Sequence, residues 1–208
     1  MKRFKYPRTF HLPWSEGISK DDRVLKSIDQ FHGKNVVVTE KMDGENTTLY
    51  RDGLHARSLD SKDHESRHWI KAFWSTIRYD IPLNFRVCGE NLYAKHSIYY
   101  KNLKSFFYGF SVWIEDYCCS WEYTLRFFNN LSITPVPILY IGPWDEEKIR
   151  LCYDPNNPYQ EGYVVRIVDG FSYNEFNQYV AKFVRKGHVQ TDTHWMHQKI
   201  MRNELGDI

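Results

Sequence analysis

Three observations predict an α+β fold built on an antiparallel sheet. Short alternating apolar runs outnumber amphipathic helices, and tight turns join most of them. No regular strand-helix alternation is visible, and neither a G-x-G-x-x-G nor a P-loop marks a parallel nucleotide-binding sheet.

In chain order, the spacing predicts a helix over Asp21 to Phe31, then strands over Asn35 to Lys41 and Thr47 to Arg51. Asp52-Gly53 is a hairpin signal leading into a third strand through Arg57 and Ser58. Trp69, Ile70, Phe73, Trp74 and Ile77 recur at helical spacing and predict an amphipathic helix from His64 to Tyr79. Strands follow at Phe85 to Glu90 and Phe106 to Trp113. Trp121, Leu125 and Phe128 share one face of a second helix. Pro135 and Pro137 confine the next stretch to an edge strand or loop. Gly162 to Val168 and Gln178 to Val184 read as paired strands around an Asp169 to Asn174 connection, and Thr193 to Met201 as a last helix that packs Trp195 against the sheet. No linker or repeat divides the 208 residues, so one domain is expected over 1–208.

Composition narrows the class. The 28 Lys and Arg nearly balance 26 Asp and Glu, and 42% hydrophobic residues suffice for an ordinary core, which argues against a disordered or fibrous chain. No apolar run is long enough to span a bilayer, and the basic N-terminus lacks the apolar stretch of a secretory signal, so a cytoplasmic location is expected. Cys88, Cys118, Cys119 and Cys152 form no C-x-x-C pair and are expected as reduced packing residues. The nine histidines show no metal-ligand spacing. Aromatic residues reach 17%; most serve packing, although rings interleaved with Lys and Arg also suit base stacking and phosphate contact.

The segment richest in chemistry is Glu40-Lys41-Met42-Asp43-Gly44-Glu45-Asn46, which ends one strand and opens the next. A lysine at the mouth of a sheet, partly desolvated and near another cation, is expected to have a lowered pKa and a nucleophilic amine. Arg57-Ser58, Gly89-Glu90, the aromatic strand around Phe110, Glu161-Gly162-Tyr163-Val164 and Ala181-Lys182-Phe183-Val184 follow in that order. If the last two strands pair tightly about their connection, Glu161 stands opposite Lys182 on one face.

In these motifs and their order the chain resembles the covalent nucleotidyltransferase superfamily, with an ATP-grasp-like ligase adenylation fold, over about Asn35 to Lys186. Glu before the nucleophile and Asn46 five residues after it are similar to RNA ligases of the phage RNA ligase 2 type. The resemblance implies an ATP-dependent RNA ligase using Mg²⁺ or Mn²⁺. Its substrate is RNA with 3′-hydroxyl and 5′-phosphate ends, in a nicked duplex, a broken loop or an RNA/DNA hybrid, and an end-healing kinase or phosphatase is a possible partner. Lys41 is the implied nucleophile, Glu40 the partner of the adenine amino group, and Asn46 and Arg57 orient the phosphates. Glu90 is implied to accept from a ribose hydroxyl, Phe110 to stack on adenine, Glu161 to bind or position the metal, and Lys182 to contact the α-phosphate.

Two departures are visible. The superfamily's last motif is Lys-x-Lys, whereas Lys182 is followed by Phe183, Val184, Arg185 and Lys186; strand alternation favours Lys186 as the second cation. Only 22 residues follow Lys186, too few for an OB-fold domain; the tail from His188 to Met196 is a candidate to seat the nucleic acid or the triphosphate in its place, with a helix packing Trp195 against the sheet as the favoured reading. An RNA capping guanylyltransferase and a minimal DNA ligase are the alternatives within the superfamily; a non-catalytic nucleic-acid-binding module is the alternative outside catalysis.

Overall fold

The computed structural model describes residues 2–60, 63–188 and 200–206. Its strands are β1 (Phe10–His11), β2 (Asn35–Glu40), β3 (Glu45–Tyr50), β4 (Gly53–Ala56), β5 (Phe85–Asn91), β6 (Phe107–Ile114), β7 (Tyr117–Cys118), β8 (Thr134–Pro135), β9 (Ile138–Pro143), β10 (Gly162–Ile167), β11 (Phe171–Ser172) and β12 (Val180–Val184). The helices are α1 (His68–Ile77), α2 (Trp121–Asn130), α3 (Glu146–Arg150) and α4 (Phe176–Tyr179). One sheet runs β1-β12-β10-β2-β9. The other runs β11-β7-β6-β5-β3-β4, with β8 added against β6. All pairs are antiparallel except β1 with β12 and β6 with β8, as the α+β reading requires. No helix among the described residues is long and apolar enough to cross a membrane.

Alternation explains which way each strand faces. Val36, Val38, Tyr163, Val165 and Phe183 from the first sheet join Cys88 and Trp113 from the second in one core. A second core lies under the helices, where Ile70 and Ile77 of α1 and Phe128 of α2 meet Leu49, Val87, Phe107 and Val112. The α1 stripe read from sequence is thus buried by its Ile residues, while Trp69, Phe73 and Trp74 are half-covered at its border.

Several expectations are corrected. Only Asp29–Phe31 of the predicted first helix is helical, as a single 3₁₀ turn. Leu25 donates to the His11 carbonyl at 2.8 Å and His11 donates to that of Arg23 at 2.7 Å, so β1 satisfies backbone groups that a helix needs for itself. The β3-β4 turn centres on Arg51-Asp52, since Tyr50 already pairs with Gly53, and Arg57 lies just beyond β4. The β10-β12 register is three residues from the expected one: Val164, not Glu161, faces Lys182. The cause is the longer connection, in which β11, a 3₁₀ turn and α4 occupy residues 171–179. Strand β12 ends at Val184, so alternation does not carry Lys186 onto the Lys182 face; Lys186 is exposed.

Most of the predicted final helix, including Trp195, lies outside the described residues. Met201, at its end, is not helical, and residues 200–206 return to the loop after β5, where Arg202 bridges Ala94 and Leu205 bridges Leu103. Asn203 is buried there: its amide donates to the Leu92 carbonyl at 2.8 Å and accepts from the Tyr100 N–H at 2.9 Å.

Candidate active site

The chain crosses from one sheet to the other at Lys41-Met42-Asp43-Gly44, between β2 and β3. This puts a charged connector where the sheets diverge, at the floor of a cavity of about 1340 Å³ lined by Glu40, Lys41, Asn46, Arg57, Glu90, Phe110 and Lys182. Seven of the sequence-predicted site residues therefore share one cleft. Glu161 lies fully buried beneath it, bonded to Lys41, whereas Lys186 is not part of the lining.

The glycines of two motifs are explained by close approach. A Cβ on Gly44 would lie 2.5 Å from the Asn91 carbonyl oxygen, and one on Gly162 would lie 2.0 Å from that of Phe183. Only a residue without a side chain lets the backbone come this close beside Lys41.

Lys41 is held at both ends. Its N–H donates to the Gly162 carbonyl at 3.0 Å, and its Nζ lies 2.5 Å from Glu161 Oε1. Burial opposes its charge, but Glu161, Glu90 and Asp43 together outweigh burial and raise its pKa above the ordinary lysine value. The expected depression is absent because the amine's principal neighbours are carboxyls. The nearby cation, Lys182, is itself lowered by burial first and then by Lys41, and its Nζ stands 3.6 Å from Asp22 Oδ1.

Glu90 is pushed up to about 8, chiefly by burial and further by Glu161 and Asp43, against the opposing charge of Lys41. Its Oε1 accepts from the Gly44 N–H at 3.2 Å. Asn46 sits across the β3-β5 ladder from Glu90, and its Oδ1 is buried without a hydrogen-bond partner. Burial also raises the carboxyl of Glu40, at the end of β2. Phe110 is the unpaired residue of a β6 bulge: Ser111 pairs with Cys88 and Gly109 with Gly89, which leaves Phe110 to turn into the cleft while Phe107 enters the helix-covered core. Arg57 is exposed at the rim.

Sequence reasoning gave no role to Asp43, Asp22, Arg67 or Tyr6, and considered His188 only as the start of the C-terminal tail. Asp43 Oδ2 accepts the N–H groups of both Ser97 and Ile98 at 2.7 Å, which fixes its carboxylate. Its only sequence signal is the Lys-x-Asp-Gly motif. Asp22, which faces Lys182, has a pKa of about 2: burial opposes its ionisation, but the Ser19 backbone and hydroxyl outweigh that. Arg67 forms a two-pronged pair with Glu45 on the cleft wall. Tyr6 meets the Phe110 ring edge-on, with centroids 5.2 Å apart. His188 is within reach of Asp43 and Glu161. These partners are far apart in sequence, so no local pattern announces them.

The buried Glu161 Oε2 has no hydrogen-bond partner. With Asp43 it supplies hard oxygen donors of the kind a divalent cation takes, so the residues fit such an ion.

A sheet switch carrying a lysine, with a Glu-Gly strand and a basic strand beside it, defines the covalent nucleotidyltransferase type of fold. Residues 34–184 match the family model described as RNA ligase, and the chain belongs to the RNA ligase family. Solved structures of Naegleria gruberi RNA ligase are similar in fold. The structure with PPi gives a TM-score of 0.57 at 19% identity, covering 86% of this chain and 57% of that one. A methionine mutant with AMP and Mn gives 0.55 at 18%, with coverage of 86% and 57%. An alanine mutant with ATP and Mn gives 0.54 at 18%, with coverage of 89% and 61%. This chain thus spans about three-fifths of the length of those structures. No curated protein matches it.

Proposed function

We propose that this protein is an ATP-dependent RNA ligase that joins 3′-hydroxyl and 5′-phosphate RNA ends through a lysyl-AMP and an adenylated RNA, in the cytosol and after any end-healing kinase or phosphatase has acted. The observation that carries the reading is the convergence, from four separate segments, of Lys41, Glu90 and Lys182 on one cleft with Glu161 buried beneath it and bonded to Lys41. In the first step Lys41 Nζ attacks the ATP α-phosphorus; a nitrogen–phosphorus bond forms and the bond to pyrophosphate breaks. Lys182, held in a low-dielectric position, is the fixed cation for the developing phosphate charge. Phe110 offers its face to adenine, Glu40 and Asn46 offer polar groups to the nucleotide, and Glu90 faces a ribose hydroxyl. AMP then passes to the RNA 5′-phosphate, and a 3′-hydroxyl displaces it.

The ammonium form of Lys41, stabilised by three carboxyls, must lose a proton before attack. A divalent cation on Glu161 and Asp43 supplies positive charge that offsets those carboxylates and so favours the free amine. The test is labelling with α-phosphate-labelled ATP, followed by denaturation. Wild type is expected to retain label, and Lys41→Arg, whose guanidinium keeps its proton, to retain none. Label on Lys41→Arg, or transfer from GTP alone, rejects the reading.

A further inference from the structure

Asp43, Glu161 and His188 come from three segments, and their donor atoms lie within 4.8 Å of one another. His188 Nε2 is 3.3 Å from Glu161 Oε1 and 3.5 Å from Asp43 Oδ1. The imidazole is fully buried, yet neither ring nitrogen makes a hydrogen bond, and Glu161 Oε2 is likewise buried and unpaired. Burying polar atoms this way is costly unless something else takes their lone pairs. Asp43 is not free to swing away, because the Ser97 and Ile98 amides hold its other oxygen.

The two distances to His188 suit an ion shared by the ring and each carboxylate. Adjacent ligands around a six-coordinate ion with bonds of about 2.1 Å stand about 3.0 Å apart, and those around a four-coordinate ion about 3.4 Å apart. We propose that Asp43, Glu161 and His188 form a protein-only site for a divalent transition metal, with His188 Nε2 as a nitrogen ligand, occupied without nucleotide. This rests on the ligase reading for the metal's use and deepens it by naming a third ligand and a metal class. Magnesium keeps its waters and prefers oxygen donors, whereas an imidazole favours manganese and the later first-row ions. The competing role for His188 is as a protonated ring that neutralises the two carboxylates beside β12, where Val184 stands in place of a second lysine.

Electron paramagnetic resonance on the full chain, titrated with Mn²⁺ in the absence of ATP, separates the two. Wild type is expected to bind one Mn²⁺, to show imidazole-nitrogen coupling in the pulsed spectrum, and to hold Mn²⁺ at least ten-fold more tightly than Mg²⁺. His188→Ala and His188→Gln are expected to lose the coupling and to weaken Mn²⁺ binding at least ten-fold, with unchanged circular dichroism. Absence of nitrogen coupling in wild type overturns the proposal even if neither variant folds. So does Mn²⁺ binding that is unchanged or tighter in a folded His188→Ala, the result a protonated ring predicts. ATP labelling of Lys41 is scored separately: label without nitrogen coupling removes only the metal site, and coupling without label removes only the ligase reading.

Discussion

Replacing Glu90 by Gln isolates the electrostatic state of the cleft. A glutamate unfolds to a pKa of 4.5, whereas in the fold Glu90 is pushed up to about 8, so between those values the native state holds a proton that the unfolded chain has released. Stability must therefore fall as pH rises through this window and level off above it. The steepest possible slope for one proton is about 1.4 kcal/mol per pH unit. Lys41 stabilises the carboxylate as it forms, and water can enter the open cleft, so a loss on the order of 2 kcal/mol between about pH 5 and pH 8 is expected. Glutamine keeps an oxygen for the Gly44 N–H and carries no proton to lose. Urea denaturation of both proteins across the range is the assay. The curves should agree near pH 5 and separate progressively toward pH 8, with Glu90→Gln the more stable. Parallel curves would refute the reasoning, because they would mean that Glu90 ionises as freely in the fold as in the unfolded chain.

Lys182→Ala should lower the rate of ATP labelling by at least ten-fold while shifting the melting temperature only a few degrees, since burial already opposes its charge; an unchanged rate would reduce the residue to a partner of Asp22. Glu161→Gln should also impair labelling, with a cost in stability of up to about 3 kcal/mol from the exposed deficit beside Lys41, read by denaturation. Gly162→Ala should destabilise by more than about 2 kcal/mol, because its Cβ meets the Phe183 carbonyl and β10 must part from β12. In sealing of pre-adenylated nicks, a terminal ribose should be preferred over deoxyribose by roughly 5 to 150-fold, the value of one unsatisfied buried polar group; equal rates favour a DNA ligase.

The strands were legible from apolar runs, which here are buried on both faces. Val36 and Val38 enter one core and Val37 another, because successive side chains of a strand point to opposite faces. Lys41 and the glutamates proposed to act with it stand out in the sequence because each sits at or beside a strand end. What could not be read depends on tertiary partners. Residues 21–25 look helical but lie against β1, and the β10-β12 register depends on a short helix that the hairpin signal hides. The β6 bulge decides where Phe110 points, and a single unpaired residue leaves no trace in a hydrophobic pattern. Asp22 reaches the cleft from a segment with no motif, and His188 from a tail whose composition names no particular ligand. Likewise, the charge on Lys41 follows from three carboxyls distant in sequence, so its local neighbourhood pointed the wrong way.

The Asn203 clamp links residues after both sheets to the cleft. It ties Leu92 to Tyr100, the loop whose Ser97 and Ile98 amides hold Asp43 beside Lys41. A nascent chain that has not yet delivered residue 203, or one clipped by a protease ahead of it, carries every strand of both sheets but leaves that loop untethered. Every strand of both sheets is thus synthesised before the asparagine that tethers the Asp43 loop.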